Sequence, residues 1–299
     1  MATAGDRVVT VFGGTGFLGR CIVRHLRLHG FCVRVASRHP DRGHALFGPD
    51  NPQLRSIEVD VRDERSVADA LADAYGAVNA VSLYLERGQE TFHTVHVESA
   101  RRVAAQVQRR GVKWLIHVSG IGADSRSQSL YIRKRGEGEL AVRKAFADAI
   151  LIRPAVMFGP DDAFLTPILK LLKRLPFFPM FGNGQMRLQP VYVEDVGEAI
   201  AKIMQSEQTG LTMLECGGPR VYSYEELLRT VASAAGIKPI LVPVPFAAWG
   251  ALAWISELLP SPPITRNQVE LMQIDSVSMP EIPGLGALGI CPQIGRAHV

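Results

Sequence analysis

Residues 11–20 read VFGGTGFLGR. They close an apolar, β-branched run, DRVVTVFG, and open FLGRCIVRHLRLHG, whose apolar residues recur with helical spacing until Gly30. Within them Gly14, Gly16 and Gly19 form GxGxxG, and Gly13, Gly16 and Gly19 form GxxGxxG. A glycine pattern on its own is weak. Set between a strand and a helix, it reads as a phosphate-binding turn: backbone N–H groups approach a pyrophosphate and the helix N-terminus adds partial positive charge. The expected contacts are Gly13, Gly14, Thr15, Gly16, Phe17, Leu18 and Gly19; the competing reading is glycines that merely pack helix on strand.

Outward from this turn the alternation continues. FCVRVAS, RSIEVDV, GAVNAVSL and VKWLIHVSG repeat the strand pattern, and RDERSVADALADAYG, VHVESARRVAAQVQRRG and EGELAVRKAFAD supply helices between them. Near-continuous apolar strands separated by helices predict an α/β fold of Rossmann type, a doubly wound parallel sheet covered on both faces. After AILIRPAVMFGP the texture changes. LPFFPMFGNGQMRLQP reads as a long ordered loop, PVYVEDVGEAIAKIM returns to strand-then-helix, and the chain from Ile240 is apolar and proline-rich. We therefore expect a dinucleotide-binding domain over 1–160, completed by a strand-helix unit near 190–206, and a smaller mixed portion over 161–299.

The end of the second strand bears on which dinucleotide. An NAD site usually carries Asp or Glu there, to hold the ribose 2′-hydroxyl. Here the strand ends Ala36, Ser37, Arg38, His39, and the first acid is Asp41, past a proline. A guanidinium can grip a 2′-phosphate that a carboxylate would repel, so Ser37 and Arg38 favour NADP(H) over NAD(H). Asp60 and Val61 follow the third strand; Asp60 reads either as an adenine contact or as loop structure, and Asp63 as a helix N-cap. Asn79 and Ala80 would lie along the cofactor at the carboxyl edge, and Arg153 completes the expected cofactor set.

Composition bounds the remaining classes. The chain has 299 residues, 47% hydrophobic and 21% charged, with a net charge of +4, values that suit a globular protein with a sizeable core. No block of like charge appears, so no nucleic-acid partner is expected. Cys21, Cys32, Cys216 and Cys291 lie far apart without CxxC, which suits a reducing compartment. No presequence is visible, so a cytoplasmic chain, or one peripheral on the cytoplasmic (matrix-equivalent) membrane face, is expected. The closing IGRAHV resembles a translated sequencing adapter, and residues 294–299 are set apart from the fold.

Residues 131–135, YIRKR, raise the question of chemistry. A tyrosine followed four residues later by lysine is the acid/base pair of many nicotinamide-dependent enzymes. Here Arg135 holds the lysine's place and Lys134 stands one residue early. A phenol with a pKa near 10 needs a nearby cation to act as acid or base at neutral pH. Arg135 supplies charge but cannot release a proton. On a helix, i+4 lies about 40° to one side of Tyr131 and i+3 about 60° to the other, so Lys134 remains a candidate substitute. Ser119, after HVSG's strand, is either a substrate contact or a small residue ending a buried strand.

GGTGFLGR, HVSG, the Tyr131 segment, LIRPAVMFGP and QPVYVEDV occur in the order found in extended and atypical short-chain dehydrogenase/reductases. With ITRNQVELMQIDSVSMPEIPGLGALGI, the chain up to about Gln293 resembles the family of NADPH-holding accessory subunits of respiratory complex I and their bacterial relatives. The resemblance implies bound NADPH, a pyrophosphate at Gly13–Gly19, Arg38 at the 2′-phosphate, and Ser119 and Tyr131 facing the nicotinamide. It also implies respiratory complex I subunits or quinone-pathway proteins as partners. An accessory role with weak or absent turnover leads. An active NADPH-dependent reductase or epimerase on a quinone-pathway substrate is the alternative, its substrate read by the 176–190 loop with Asn183, Arg187 and Gln189. A redox-sensing NADP-binding regulator is the third.

His93 and His96 form HxxH, but no third ligand accompanies them and no metal is expected. The fourteen residues Phe246–Leu259 are apolar on nearly every side, shorter than the roughly 20 a spanning helix needs. Burial in the C-terminal portion and docking on a partner or peripherally on a membrane both stand.

Overall fold

A computed structural model describes residues 7–206, 210–259 and 262–293; the terminal IGRAHV lies outside them. Strands in chain order are β1 (Val8–Phe12), β2 (Cys32–Ser37), β3 (Leu54–Glu58), β4 (Gly76–Asn79), β5 (Trp114–Val118), β6 (Ile150–Pro154), β7 (Met157–Phe158), β8 (Phe177–Phe181), β9 (Arg187–Leu188), β10 (Val191–Tyr192), β11 (Met213–Cys216), β12 (Tyr222–Ser223) and β13 (Ile240–Val244). Helices are α1 (Phe17–Leu28), α2 (Pro40–Phe47), α3 (Glu64–Ala70), α4 (Ala100–Arg109), α5 (Leu130–Ala145), α6 (Leu165–Arg174), α7 (Val193–Gln205), α8 (Tyr224–Ala234), α9 (Phe246–Ser256) and α10 (Arg266–Leu271). The chain forms two compact units. Of the described residues, the first comprises 7–154, 193–206, 210–216 and 279–291, the second 155–192, 217–259, 262–278 and 292–293.

In the first unit seven parallel strands run in the order β11-β6-β5-β4-β1-β2-β3. This is the doubly wound Rossmann sheet, and its order reverses between β1 and β4, where such sheets open a crevice at the carboxyl edge. Val9, Val11, Val35, Val78, Ile116 and Ile152 are fully buried, as both-face coverage demands. Each contributes about 1.5–3 kcal/mol over an exposed side chain. The register sets Ala36, Phe12, Asn79 and His117 side by side at the carboxyl ends of β2, β1, β4 and β5. Asp63 caps α3 by accepting from the Arg65 N–H at 2.9 Å. On α1, His25 sets its two ring nitrogens 2.9 Å from carboxylate oxygens of Glu194 and Glu198, tying α7 down.

The second unit has its own core of Leu172, Phe178, Met180, Tyr224, Leu227 and Leu228. The stretch we read as a loop is partly strand. Phe177–Phe181 pairs in parallel with Ile240–Val244, prolines included, in a two-stranded sheet. Pro179 and Pro243 discourage a strand reading, yet a two-stranded sheet has open edges that need no proline N–H. Trp249 packs on Phe181 at 4.4 Å and donates to the Met180 carbonyl, anchoring α9, while Leu252, Trp254 and Ile255 remain exposed. Gln189 and Arg187, named as substrate readers, are engaged internally. Gln189 bonds the Ser278 N–H and hydroxyl and the Gly218 carbonyl, and Arg187 pairs with Asp275 at 2.8 Å.

Candidate dinucleotide site and acid/base pair

The glycine turn sits between β1 and α1. Gly13 takes φ +76°, donates to Ala36 O at 3.0 Å, and lies where a Cβ would meet Ala80 O at 3.0 Å and Val81 N at 3.1 Å. A Cβ on Gly19 would overlap the Gly13 carbonyl. The backbone thus folds tightly enough to leave a side-chain-free cradle. No side chain caps α1 at Gly16, and its first turn has no acid, an arrangement that suits an anion at the helix N-terminus. Leu18 is buried beneath, Phe17 lies under the Arg20 guanidinium, and Thr15 Oγ1 donates to Ser37 Oγ at 3.2 Å.

Around this cradle the other expected residues divide. Ala80 donates to Phe12 O at 3.0 Å, and buried Asn79 has Nδ2 3.3 Å from His117 Nδ1, both at the carboxyl edge. Arg38 follows β2 and forms an ion pair with Glu90. Asp60 is gripped by Arg62 at 2.7 Å, and that hydrogen-bonded guanidinium lowers its pKa from the usual carboxylate value. The Val61 carbonyl accepts from Arg102 at 3.0 Å. Arg153, expected in the cofactor set, is engaged within the protein. Its guanidinium is taken by Glu139 at 2.6 Å and Glu215 at 3.5 Å, with Ala123 O at 3.2 Å. Those partners satisfy it within the protein.

Tyr131 opens α5 and is 6% exposed. Tyr84 stacks on its ring at 5.8 Å, and Phe92 and His96 meet it edge-on at 5.3 and 5.5 Å. His96 belongs to a π-helical turn, His93–Ser99, preceding α4. Of the two cations, Lys134 turns away and pairs with Glu137 at 2.7 Å. Arg135 turns inward. Its guanidinium carbon lies 4.9 Å from the Tyr131 ring centroid, and Nη2 donates to Ser82 Oγ at 2.8 Å. Arg135 thus bridges the Tyr131 ring and the Ser82 hydroxyl. Burial pushes the phenol's pKa up, and the guanidinium opposes this without overcoming it. Burial, reinforced by the same guanidinium, lowers His96 and His117 to about 3, so both rings stay neutral above acid pH.

Two buried polar atoms in this cluster, Ser119 Oγ and Arg135 Nε, have no hydrogen-bond partner among the described residues. Unsatisfied buried groups are costly and call for a partner. Together with the side-chain-free cradle, they fit a bound dinucleotide. Ser82, Tyr84 and His117 escaped the sequence reading. The first two trail β4 without a motif, and only the strand order sets them beside Tyr131. No group of three or more His, Cys, Asp or Glu able to hold a metal occurs among the described residues.

The family model described as NAD(P)H-binding matches residues 13–158. The chain is 32% identical over 289 residues to the mitochondrial NADH dehydrogenase (ubiquinone) 1 alpha subcomplex subunit 9 of Rattus norvegicus, spanning 95% of this chain and 76% of that protein. It is 30% identical over 250 residues to the ceramide reductase of Caulobacter vibrioides, spanning 82% of this chain and 76% of that one. Among solved structures, a dTDP-glucose 4,6-dehydratase from Streptomyces venezuelae superposes with a TM-score of 0.65 at 20% identity, covering 80% of this chain and 84% of the other.

Proposed function

The chain belongs to the NAD(P)H-binding short-chain dehydrogenase/reductases, in the branch that holds the alpha subcomplex subunit 9 proteins, and on that footing we propose that it is an NADP(H)-holding accessory protein with little or no turnover. The cradle from Gly13 to Gly19 would take the pyrophosphate and Arg38 the 2′-phosphate. Asn79, Ala80, Ser119 and the Arg135–Ser82–Tyr131 cluster would line the nicotinamide half. Bound NADPH supplies hydride-donating capacity; the protein side is where this site is weak. One observation carries the reading: the guanidinium enclosed beneath Tyr131. It holds the phenol in place but cannot pass on a proton, and Lys134 is committed to Glu137.

Purified protein is expected to carry NADPH in near-stoichiometric amount. Arg38→Ala should weaken NADPH by about tenfold to a hundredfold, the worth of a charge-assisted bond, measured by calorimetry. An Arg38→Ala protein with unchanged affinity would reject the 2′-phosphate contact. For assembly, the rat relative is named as a subunit of NADH dehydrogenase. We assign this chain the same kind of partner, respiratory complex I subunits or quinone-pathway proteins, with α9's exposed Leu252, Trp254 and Ile255 as the peripheral contact. No helix of the described residues is long and apolar enough to cross a membrane. Affinity isolation from membranes should recover respiratory subunits; recovery of none would remove this part.

The second reading is an active reductase, favoured by Ser119 directly after β5, by Tyr131 on α5 and by the Caulobacter relative's name. With a candidate carbonyl substrate and NADPH, the wild type is expected to stay at background while Arg135→Lys gains turnover. Wild-type turnover that Tyr131→Phe abolishes would establish the reductase instead.

A further inference from the structure

We infer that Glu90 moderates the preference for NADP(H) over NAD(H), by holding the guanidinium that a 2′-phosphate must take. The inference rests on the NADP(H) reading above and adds to it the residue that opposes the phosphate.

Glu90 reaches Arg38 from the segment after β4, crossing to the end of β2. It is held there firmly. Arg87 and Glu90 exchange two backbone hydrogen bonds of 2.9 Å around Gly88, whose φ of +55° makes the turn tight. The following Thr91 and Thr94 cap each other: Thr91 N donates to Thr94 Oγ1 at 2.9 Å and Thr94 N to Thr91 Oγ1 at 3.1 Å. Thr94 Oγ1 also donates to Gln89 O at 3.0 Å. Ser37, the residue before Arg38, bonds Thr15 of the glycine turn, so the pair stands beside the cradle. Arg62, paired with Asp60, is close enough to feel the charge of Glu90, and Asp60 that of Arg38. Two acids and two arginines therefore alternate at the end of β2 and β3.

A 2′-phosphate carries about two negative charges at neutral pH and competes with Glu90 for the Arg38 fork, while the displaced carboxylate repels it. A 2′-hydroxyl meets neither obstacle, and a carboxylate readily accepts the hydrogen bond that it donates. Glu90 thus supplies from a distant segment the acid that an NAD site usually carries at the end of its second strand. The two side chains are 51% and 27% exposed, which limits the pair's worth to that of a solvent-screened contact.

The test measures NADPH and NADH binding to the full chain by calorimetry, for wild type, Glu90→Gln, Glu90→Ala and Arg38→Ala. Both Glu90 variants should tighten NADPH about fivefold, the upper end for an exposed ion pair, and leave NADH unchanged or weaker. An NADPH-to-NADH preference unaltered in both, with NADPH still lost by Arg38→Ala, overturns the role of Glu90 and leaves the NADP(H) reading standing. An Arg38→Ala protein that keeps wild-type NADPH affinity overturns both.

Discussion

Arg153→Met is expected to destabilise the protein by about 3–5 kcal/mol, the cost of leaving buried charge without its partner. Glu215 is fully buried and Glu139 only 5% exposed, and the guanidinium lies within 3.5 Å of both. Removing the cation leaves two carboxylates facing each other in the interior. Urea unfolding followed by circular dichroism gives the number. A loss below about 1 kcal/mol, the scale of a surface pair, would mean that the triad is solvated in solution. Replacing Glu139, Arg153 and Glu215 together by apolar residues of similar volume should recover most of the loss, because no unpaired charge remains. NADPH affinity of folded Arg153→Met should match the wild type, since Ala123 O and the two carboxylates already satisfy the side chain.

Acid should unfold the protein through its two interior histidines. In the folded state His96 and His117 remain neutral down to about pH 3, whereas an unfolded histidine takes its proton near 6.5. Between those values the unfolded chain binds more protons, so stability rises with pH and falls as acid is added. Each ring contributes a slope of about 1.4 kcal/mol per pH unit, so at pH 5 each has cost about 2 kcal/mol. The loss is complete only below pH 3. His96→Asn keeps a donor for the Leu83 carbonyl that His96 Nε2 meets at 3.0 Å, and should lower the slope by about one proton. Urea midpoints across pH 5 to 7 supply the comparison; an unchanged slope would remove His96 from the account.

What was legible in the chain follows from how local each signal is. The β1–glycine–α1 turn could be read because strand, turn and helix are contiguous, and the parallel sheet because its buried strands lack polar alternation. The Tyr131 helix was legible too, but not which cation turns inward. Positions i+3 and i+4 flank the phenol almost equally, and only the packing of α5 against Ser82 and Gly120 sends Arg135 in and leaves Lys134 to Glu137. Ser82 and His117 depend on the order of β4 and β5 in the sheet, which no short pattern encodes. Arg153 looks the same in sequence whether its neighbours are phosphates or two carboxylates 14 and 62 residues away. The strand at Phe177 was hidden by its own proline.

Glu215 has a second task besides neutralising Arg153. Its backbone N–H donates to Pro283 O at 2.9 Å and its carboxylate accepts from Met279 N at 2.7 Å, while Lys202 reaches Leu288 O at 3.2 Å. The stretch Met279–Cys291, itself without a strand, is therefore sewn onto a sheet whose last strand in the chain ends at Cys216. On the ribosome that late thread emerges only after the whole of Gly217–Ser278 has been synthesised. A premature stop anywhere in this interval would spare every glycine of the cradle and still release a polypeptide with an unclosed seam along β11.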